Sequence, residues 1–403
     1  MTSLAGSLTW VATPVLDNHG QIKGVAMAKL AYTSFVRTTD NAYNFTDGLE
    51  QRYDMNTLDS AEKRIFNKLN GIGKNEETLL TQAFDEMMGH QYANVQQRTA
   101  STGRALDKEI THLRKEWDNK TKNSNKIKVF GMKDEYNTDT AGIIDYTSNA
   151  YGVAYVHENE TIKLGNSSGW YAGAVNNTFK FKDIGRSKEN TTMLKLGAFK
   201  STAFDHNGSL NWTVSGEGYI ARSDMHRKFL VVDEIFNAKS SYNTYGAAIK
   251  NEISKEFRTG EKFSIRPYGS LKLEYGRFNT IKEKDGEMRL EIKGNDYYSV
   301  KPEVGIEFKY KQPMAVKTMF TTTLGLGYEN ELGKVGDTKN KGRVAYTDAD
   351  WFDIRGEKDD RKGNFKADLN IGIENQRFGV TLNGGYDTKG KNIRGGLGIR
   401  VIY

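Results

Sequence analysis

The last two-thirds of the chain alternates apolar and polar residues with period two, the signature of a strand with two different faces. In 300–311 the even positions are Val300, Pro302, Val304, Ile306, Phe308 and Tyr310, and the odd ones are Lys301, Glu303, Gly305, Glu307, Lys309 and Lys311. In 365–374, Phe365, Ala367, Leu369, Ile371 and Ile373 oppose Lys366, Asp368, Asn370, Gly372 and Glu374, and 378–387 and 393–403 continue the pattern. It predicts twelve strands, at about 125–136, 145–158, 167–182, 191–205, 209–222, 242–257, 262–279, 296–311, 314–331, 363–375, 377–388 and 392–403. The predicted gaps alternate too. Those at 223–241, 280–295 and 332–362 are long and charged, whereas 206–208, 258–261, 312–313 and 376 are very short. The segment 343–356 is assigned to a long loop, because Asp348, Asp350 and Asp353 interrupt its apolar face.

A half-buried soluble sheet also alternates, so two further features decide the reading. The apolar faces end in aromatics, as at Tyr310, Tyr386 and Tyr403, while the other faces are small or charged. Short turns on one side and long loops on the other, with an even strand number, are the rhythm of an outer-membrane barrel. Such a sheet must close, because an open edge in lipid leaves backbone groups unsatisfied. The expected fold is an all-β transmembrane barrel of twelve antiparallel strands, with Pro267 and Pro302 near strand starts and Pro313 in a tight turn.

Composition narrows the chemistry. With no Cys among 403 residues, disulfides, thiol nucleophiles and cysteine-based metal sites are excluded. Residues 1–124 carry 15 basic and 15 acidic side chains, so the whole net charge of +7 lies in 125–403, dispersed among acids. A nucleic-acid binder concentrates its positive charge, and no nucleic-acid partner is expected. No stretch is long and apolar enough for a spanning helix.

Ahead of the strands, residues 76–118 contain no Pro and two Gly and read as one helix. Leu80, Phe84, Met87, Tyr92 and Val95, then Leu106, Ile110, Leu113 and Trp117, follow helical spacing. Between them lies a polar stretch with Gln96, Gln97, Arg98 and Arg104. A helix threaded through a barrel, with charged strands on every side, would lose its apolar stripe there. Eight strands are filled by their own side chains and sixteen leave a channel, so twelve have room for about one helix of 10–12 Å.

The helix-then-barrel order and the ending Gly-Gly-Leu-Gly-Ile-Arg-Val-Ile-Tyr at 395–403 resemble the translocator unit of a type Va autotransporter of Gram-negative bacteria. The resemblance covers about 76–403. It implies a linker helix in the pore at 76–118, an autotransporter β-barrel domain at 125–403, and a passenger remnant or junction at 1–75, with the chain a fragment of a longer one. It implies export and anchoring of an N-terminal passenger by type V secretion in the outer membrane. The implied partners are outer-membrane lipid and lipopolysaccharide, the insertion machinery, periplasmic chaperones and the chain's own passenger, with the protein a monomer. Outward Leu397, Ile399, Val401 and Tyr403 resemble the insertion signal. The alternative is a porin with 76–118 in the periplasm.

Catalytic features are sparse. The six His, at 19, 90, 112, 157, 206 and 226, include no H-x3-H spacing, and no metal or other cofactor is expected. The runs at 216–218 and 395–398 lack the helix that a phosphate loop requires, and read as inward glycines that make room for the plug. Some members of the resembling family cut their linker inside the pore, and Asn94 with Glu252, Glu274 or Glu307 could mimic that arrangement. Charge pairing of these acids with Arg98, Arg104 and inward lysines is the favoured reading, because unpaired confined charges are costly. The chain is not expected to be an enzyme.

Overall fold

In the computed structural model, residues 6–55, 60–115, 123–160, 165–314, 317–335, 339–354, 356 and 363–402 are described. Twelve long strands form the barrel. They are β1 (Ser124–Tyr136), β2 (Tyr146–Glu160), β3 (Ser167–Phe181), β4 (Lys188–Ala203), β5 (Leu210–Val231), β6 (Glu234–Lys255), β7 (Phe263–Phe278), β8 (Asn295–Met314), β9 (Thr318–Glu329), β10 (Asn364–Glu374), β11 (Phe378–Asp387) and β12 (Asn392–Ile402). Each pairs antiparallel with its neighbours in sequence, and β12 closes on β1 with Leu397 opposite Val129 and Ile399 opposite Ile127.

Closure is what makes the alternation productive. Val304, Leu271, Leu324, Leu382 and Ile220 point outward and are exposed, while Lys128, Glu189, Arg394 and Arg400 point inward and are buried. Outward aromatics mark two levels, such as Tyr298 and Tyr310 on β8 and Phe263 and Tyr275 on β7. Twelve residues at about 3.3 Å, tilted by about 40°, span about 30 Å of membrane normal. That matches a hydrocarbon band.

Three expectations need correction. The gap at 223–241 is not a loop. β5 and β6 run 22 residues each and meet at a two-residue turn, Val232–Asp233. Their alternation persists (Met225, Arg227, Phe229 and Val231 inward), but charges on the outward side disguise it. Pro302 and Pro267 lie inside strands. Each stands one residue beyond the end of a second neighbour's ladder, which starts at Glu303 on the β9 side and at Tyr268 on the β6 side. A missing N–H costs little at such an edge-like position. Pro313 is the penultimate residue of β8, opposite Met319. Among the described residues of 343–356 there is no spanning strand. Short strands Asn340–Val344 and Phe352–Ile354 pair with each other, and the first also pairs with Leu290–Ile292 above the rim.

The N-terminal part caps the rim opposite the two chain ends of the barrel. A hairpin of Trp10–Leu16 and Ile22–Lys29 leads to α1 (Ala42–Met55), α2 (Lys63–Asn70) and α3 (Glu77–Met87). Tyr32, Phe45, Phe66 and Phe84 join one apolar core with Phe229, Phe236, Ile281, Leu290 and Phe352 of the rim. Phe45 meets Phe352 edge-on at 5.6 Å. The expected single helix over 76–118 is broken: α3 ends at Met87, and α4 (Val95–Lys115) starts after a short turn. The cause is Gly89, at φ +77°, where L side chains are strained and an added Cβ would meet Leu290 Cδ1 at 2.6 Å. Trp117 lies outside the described residues.

Candidate functional site

α4 occupies the barrel interior, and its sequence matches a wall with two characters. Ala105, Leu106, Ile110 and Leu113 pack on Phe130, Ala154, Val156, Tyr171, Val175 and Met193 of β1–β4. The remaining surface of the helix meets charged side chains, two of them, Lys128 of β1 and Lys195 of β4, on the same strands as the apolar patch. Asp107 takes ion pairs from Lys195 and Lys272, and Lys108 pairs with Asp387. Glu109 accepts from Lys128 at 3.2 Å, and Lys115 lies 3.1 Å from both Glu252 and Glu307. The helix is therefore amphipathic inside the barrel. The expectation that every side faces charge fails, because the inward positions of β1–β4 include Phe130, Ala154, Val156, Tyr171, Val175 and Met193 beside charged Lys128, Glu189 and Lys195.

The polar start of α4 sits at the capped rim. Arg98 is buried and donates to both carboxylate oxygens of Glu189, at 2.8 and 2.9 Å. It also donates to Gln91 O at 3.0 Å and to Asn94. Gln96 exchanges hydrogen bonds with Asn340, at 2.8 and 3.1 Å, and Asn340 also donates to Tyr92 O at 2.7 Å. Gln97 is half-buried and stands outside this network. Arg104 lies 3.3 Å from Asp134 Oδ2.

Residues that the sequence reading did not single out complete the closure of the mouth. Arg227 and Glu283, both fully buried, form a two-bond pair at 2.7 and 2.8 Å, and Tyr92 donates to Glu283 at 2.9 Å. Arg227 also donates to Met288 O at 2.9 Å, so helix, strand and rim are tied at one point. A buried pair of this kind orders its surroundings, and loss of one partner leaves a stranded charge. In the sequence the two lie 56 residues apart in segments that read as loops, so nothing there marks them as partners.

Asn94 binds Arg98 rather than facing the acids weighed with it. Glu252 and Glu307 are engaged by Lys115 and Arg266, and Glu274 by Lys272 and Tyr297. Among the described residues no His, Asp or Glu cluster has metal-binding geometry. Gly216 and Gly218 lie on the outward side of β5, not inward. Four of the glycines that do face inward are covered by neighbouring rings: Tyr171 lies over Gly197, Tyr219 over Gly246 and Gly276, and Tyr268 over Gly305.

Beside the helix, toward the end with the short turns, a cavity of about 970 Å³ is lined by Arg114, Lys250, Glu252, Arg266, Lys272 and Glu307 among others. At the seam, Leu397 is exposed outward and Ile399 and Val401 are half-exposed, while Tyr403 lies outside the described residues.

A closed twelve-stranded barrel with an apolar outer band and a helix of its own chain in the lumen defines an outer-membrane β-barrel protein with an internal plug. The model of the autotransporter beta-domain family matches residues 127–386, and the chain belongs to that family. Among solved structures, the translocator domain of the autotransporter NalP from Neisseria meningitidis shares 12% identity at a TM-score of 0.60, covering 77% of this chain and 100% of that one. The beta domain of the Bordetella autotransporter BrkA has 11% identity and a TM-score of 0.46, covering 70% of this chain and 100% of its own. The transport unit of AIDA-I from Escherichia coli has 10% identity and a TM-score of 0.46, covering 75% and 98%. No curated protein sequence matches the chain. The protein is thus an outer-membrane translocator for a passenger in a Gram-negative bacterium, and the porin alternative is the weaker reading.

Proposed function

We propose that α4 is the retained linker of an exported passenger and that residues 6–93 are the passenger's junction, folded on the outer rim after crossing. One observation carries this reading. The chain runs from the rim cap, down the lumen as α4, to the start of β1 at the end with the short turns. A polypeptide that lies in its own pore with its N-terminal side outside has the arrangement left by outward passage. An even strand number puts both barrel ends on the periplasmic side, which makes the capped rim extracellular.

Arg98, Gln96 and Arg104 then act as the plug's polar anchors. Leu397, Ile399, Val401 and Tyr403 serve insertion, with periplasmic chaperones and the insertion machinery as partners of the nascent barrel. The family is one of transport units, and the chain is given no catalytic role. Folding of the passenger outside supplies the drive.

The test is an epitope placed in the hairpin turn at 17–21, probed with antibody on intact cells of a Gram-negative host. Labelling without permeabilisation is expected. An epitope that labels only after the outer membrane is opened would sink the orientation and the export reading together.

A further inference from the structure

The outward face of β3–β6, above the lipid band, carries a row of basic side chains in register. Lys180 is paired in register with Lys188, Lys188 with His226, and His226 with Lys239. The lysines are exposed, while their neighbours Phe179, Glu189, Arg227 and Ala238 point inward and are buried. Like charges directly opposite destabilise a sheet, and Lys180 and Lys188 are such a pair; His226, held below its usual pKa by burial and by Lys228, is a neutral imidazole between Lys188 and Lys239. The acids nearby serve the two ends of the row and leave Lys180 and Lys188 uncompensated. Asp285 lies 3.4 Å from Lys239 at one end of the row, Glu135 pairs with Lys182 at the other, and Asp224, one outward position lower, is bound by Ser241. Neither Lys180 nor Lys188 makes an ion pair among the described residues.

The height of the row is informative. Tyr151, an exposed outward aromatic on β2, stands opposite Asn176 on β3, and Lys180 is four residues further toward the extracellular rim. Four residues of a tilted strand rise about 10 Å. The row therefore lies just beyond the acyl region, at the depth of lipid headgroups, and spans about 14 Å across three strand spacings. Phosphates at that depth would supply the counter-charge that the fold withholds from Lys180 and Lys188, with Lys239, already beside Asp285, at the edge of the site.

We propose that the outer face of β3–β6 binds the phosphates of the glycolipid in the outer leaflet through Lys180, Lys188 and Lys239. The proposal rests on the orientation given above, which the epitope experiment tests separately, so failure of one is distinguishable from failure of the other. The ligand class is a phosphorylated disaccharide headgroup held in a bilayer.

The experiment uses the full chain in discs of zwitterionic phosphatidylcholine, with diphosphoryl lipid A as the probe. The variant is Lys180→Gln/Lys188→Gln/Lys239→Gln. The control, Lys23→Gln/Lys200→Gln/Lys262→Gln, removes equal charge elsewhere, and slower migration on boiling shows that each is folded. Each lysine removed from a headgroup-level site should weaken binding about fivefold, and the three together about 100-fold. The control should bind as the parent does, and monophosphoryl lipid A should bind the parent more weakly. Unchanged lipid A binding by the triple variant, or an equal loss in the control, would overturn the proposal. So would inorganic phosphate binding as tightly as lipid A with the same lysine dependence, because the site would then need no lipid.

Discussion

Removing residues 6–122 should convert the closed protein into an open channel, and the size of the change follows from the lumen. α4 has 21 residues, which makes it about 32 Å long and about 11 Å across, displacing about 3,000 Å³. The cavity beside it holds about 970 Å³. The helix is thus the main occupant of the lumen along its length. The barrel alone should therefore conduct several-fold more than any leak through the intact protein. The leak itself should be small, because the cap and the buried Arg98–Glu189 and Arg227–Glu283 pairs close the outer mouth. The assay is single-channel recording in planar bilayers, with boiled and unboiled gel samples to show that the barrel folds. The deletion also strips partners from Glu189, Lys195, Lys272 and Asp387. The open barrel should accordingly unfold at a lower temperature than the whole chain. Equal conductance from a folded barrel and the intact protein would refute the placement of the helix.

Four narrower outcomes follow. Arg98→Ala or Glu189→Ala strands a buried charge and should cost about 3–5 kcal/mol of plug stability, seen as frequent openings in the same recordings, whereas Gln97→Ala should leave them unchanged. Gly89→Ala places a side chain at positive φ against Leu290 and should destabilise the cap by at least about 1–2 kcal/mol, read by protease cleavage after residue 93. Burial, with Arg104 and Lys301 nearby, holds the Lys389 amine in the outer turn down to about 8 from 10.5. The folded state thus prefers the neutral amine, so heat resistance should rise as pH climbs from 8 toward 10.5, and Lys389→Gln should flatten that rise. Deleting Tyr403 should lower outer-membrane yield far more than Asp348→Ala does, and equal yields would remove Tyr403 from insertion.

The parts of this fold that could be read from the sequence are those governed by a local period. Val304, Ile306 and Phe308 against Glu303, Gly305 and Glu307 specify a two-faced strand wherever it lies, and repetition of that pattern carries strand number and closure with it. Elements set by tertiary context were misread. Charges at Asp224, His226 and Lys228, and the inward Arg227, made 223–241 resemble a loop, although Met225, Phe229 and Val231 keep the inward apolar positions. The break at Gly89 was hidden because an isolated Gly is tolerated in a helical pattern, and only the approach of Leu290 shows why the chain turns there. In the lumen, Arg98 was visible as a polar interruption, but its partner Glu189 is 91 residues away. The apolar side of the lumen escaped notice because Ala150, Ala154 and Val175 are unremarkable within an alternating strand.

The rings laid over inward glycines have a consequence for the bore of the pore. Strand number sets the circumference of the backbone, but the free width depends on what rises from it. Where Tyr171 rests on Gly197, or Tyr219 on Gly246 and Gly276, the aromatic lies against the wall because no Cβ stands beneath it. A methyl group at Gly197 would lift the Tyr171 ring toward Leu106 and Ile110, which share its apolar contact region. A few hydrogens on the wall thus act as shims. The channel can be narrowed or widened against its resident helix one methyl at a time, with hydrogen-bond register and strand number untouched.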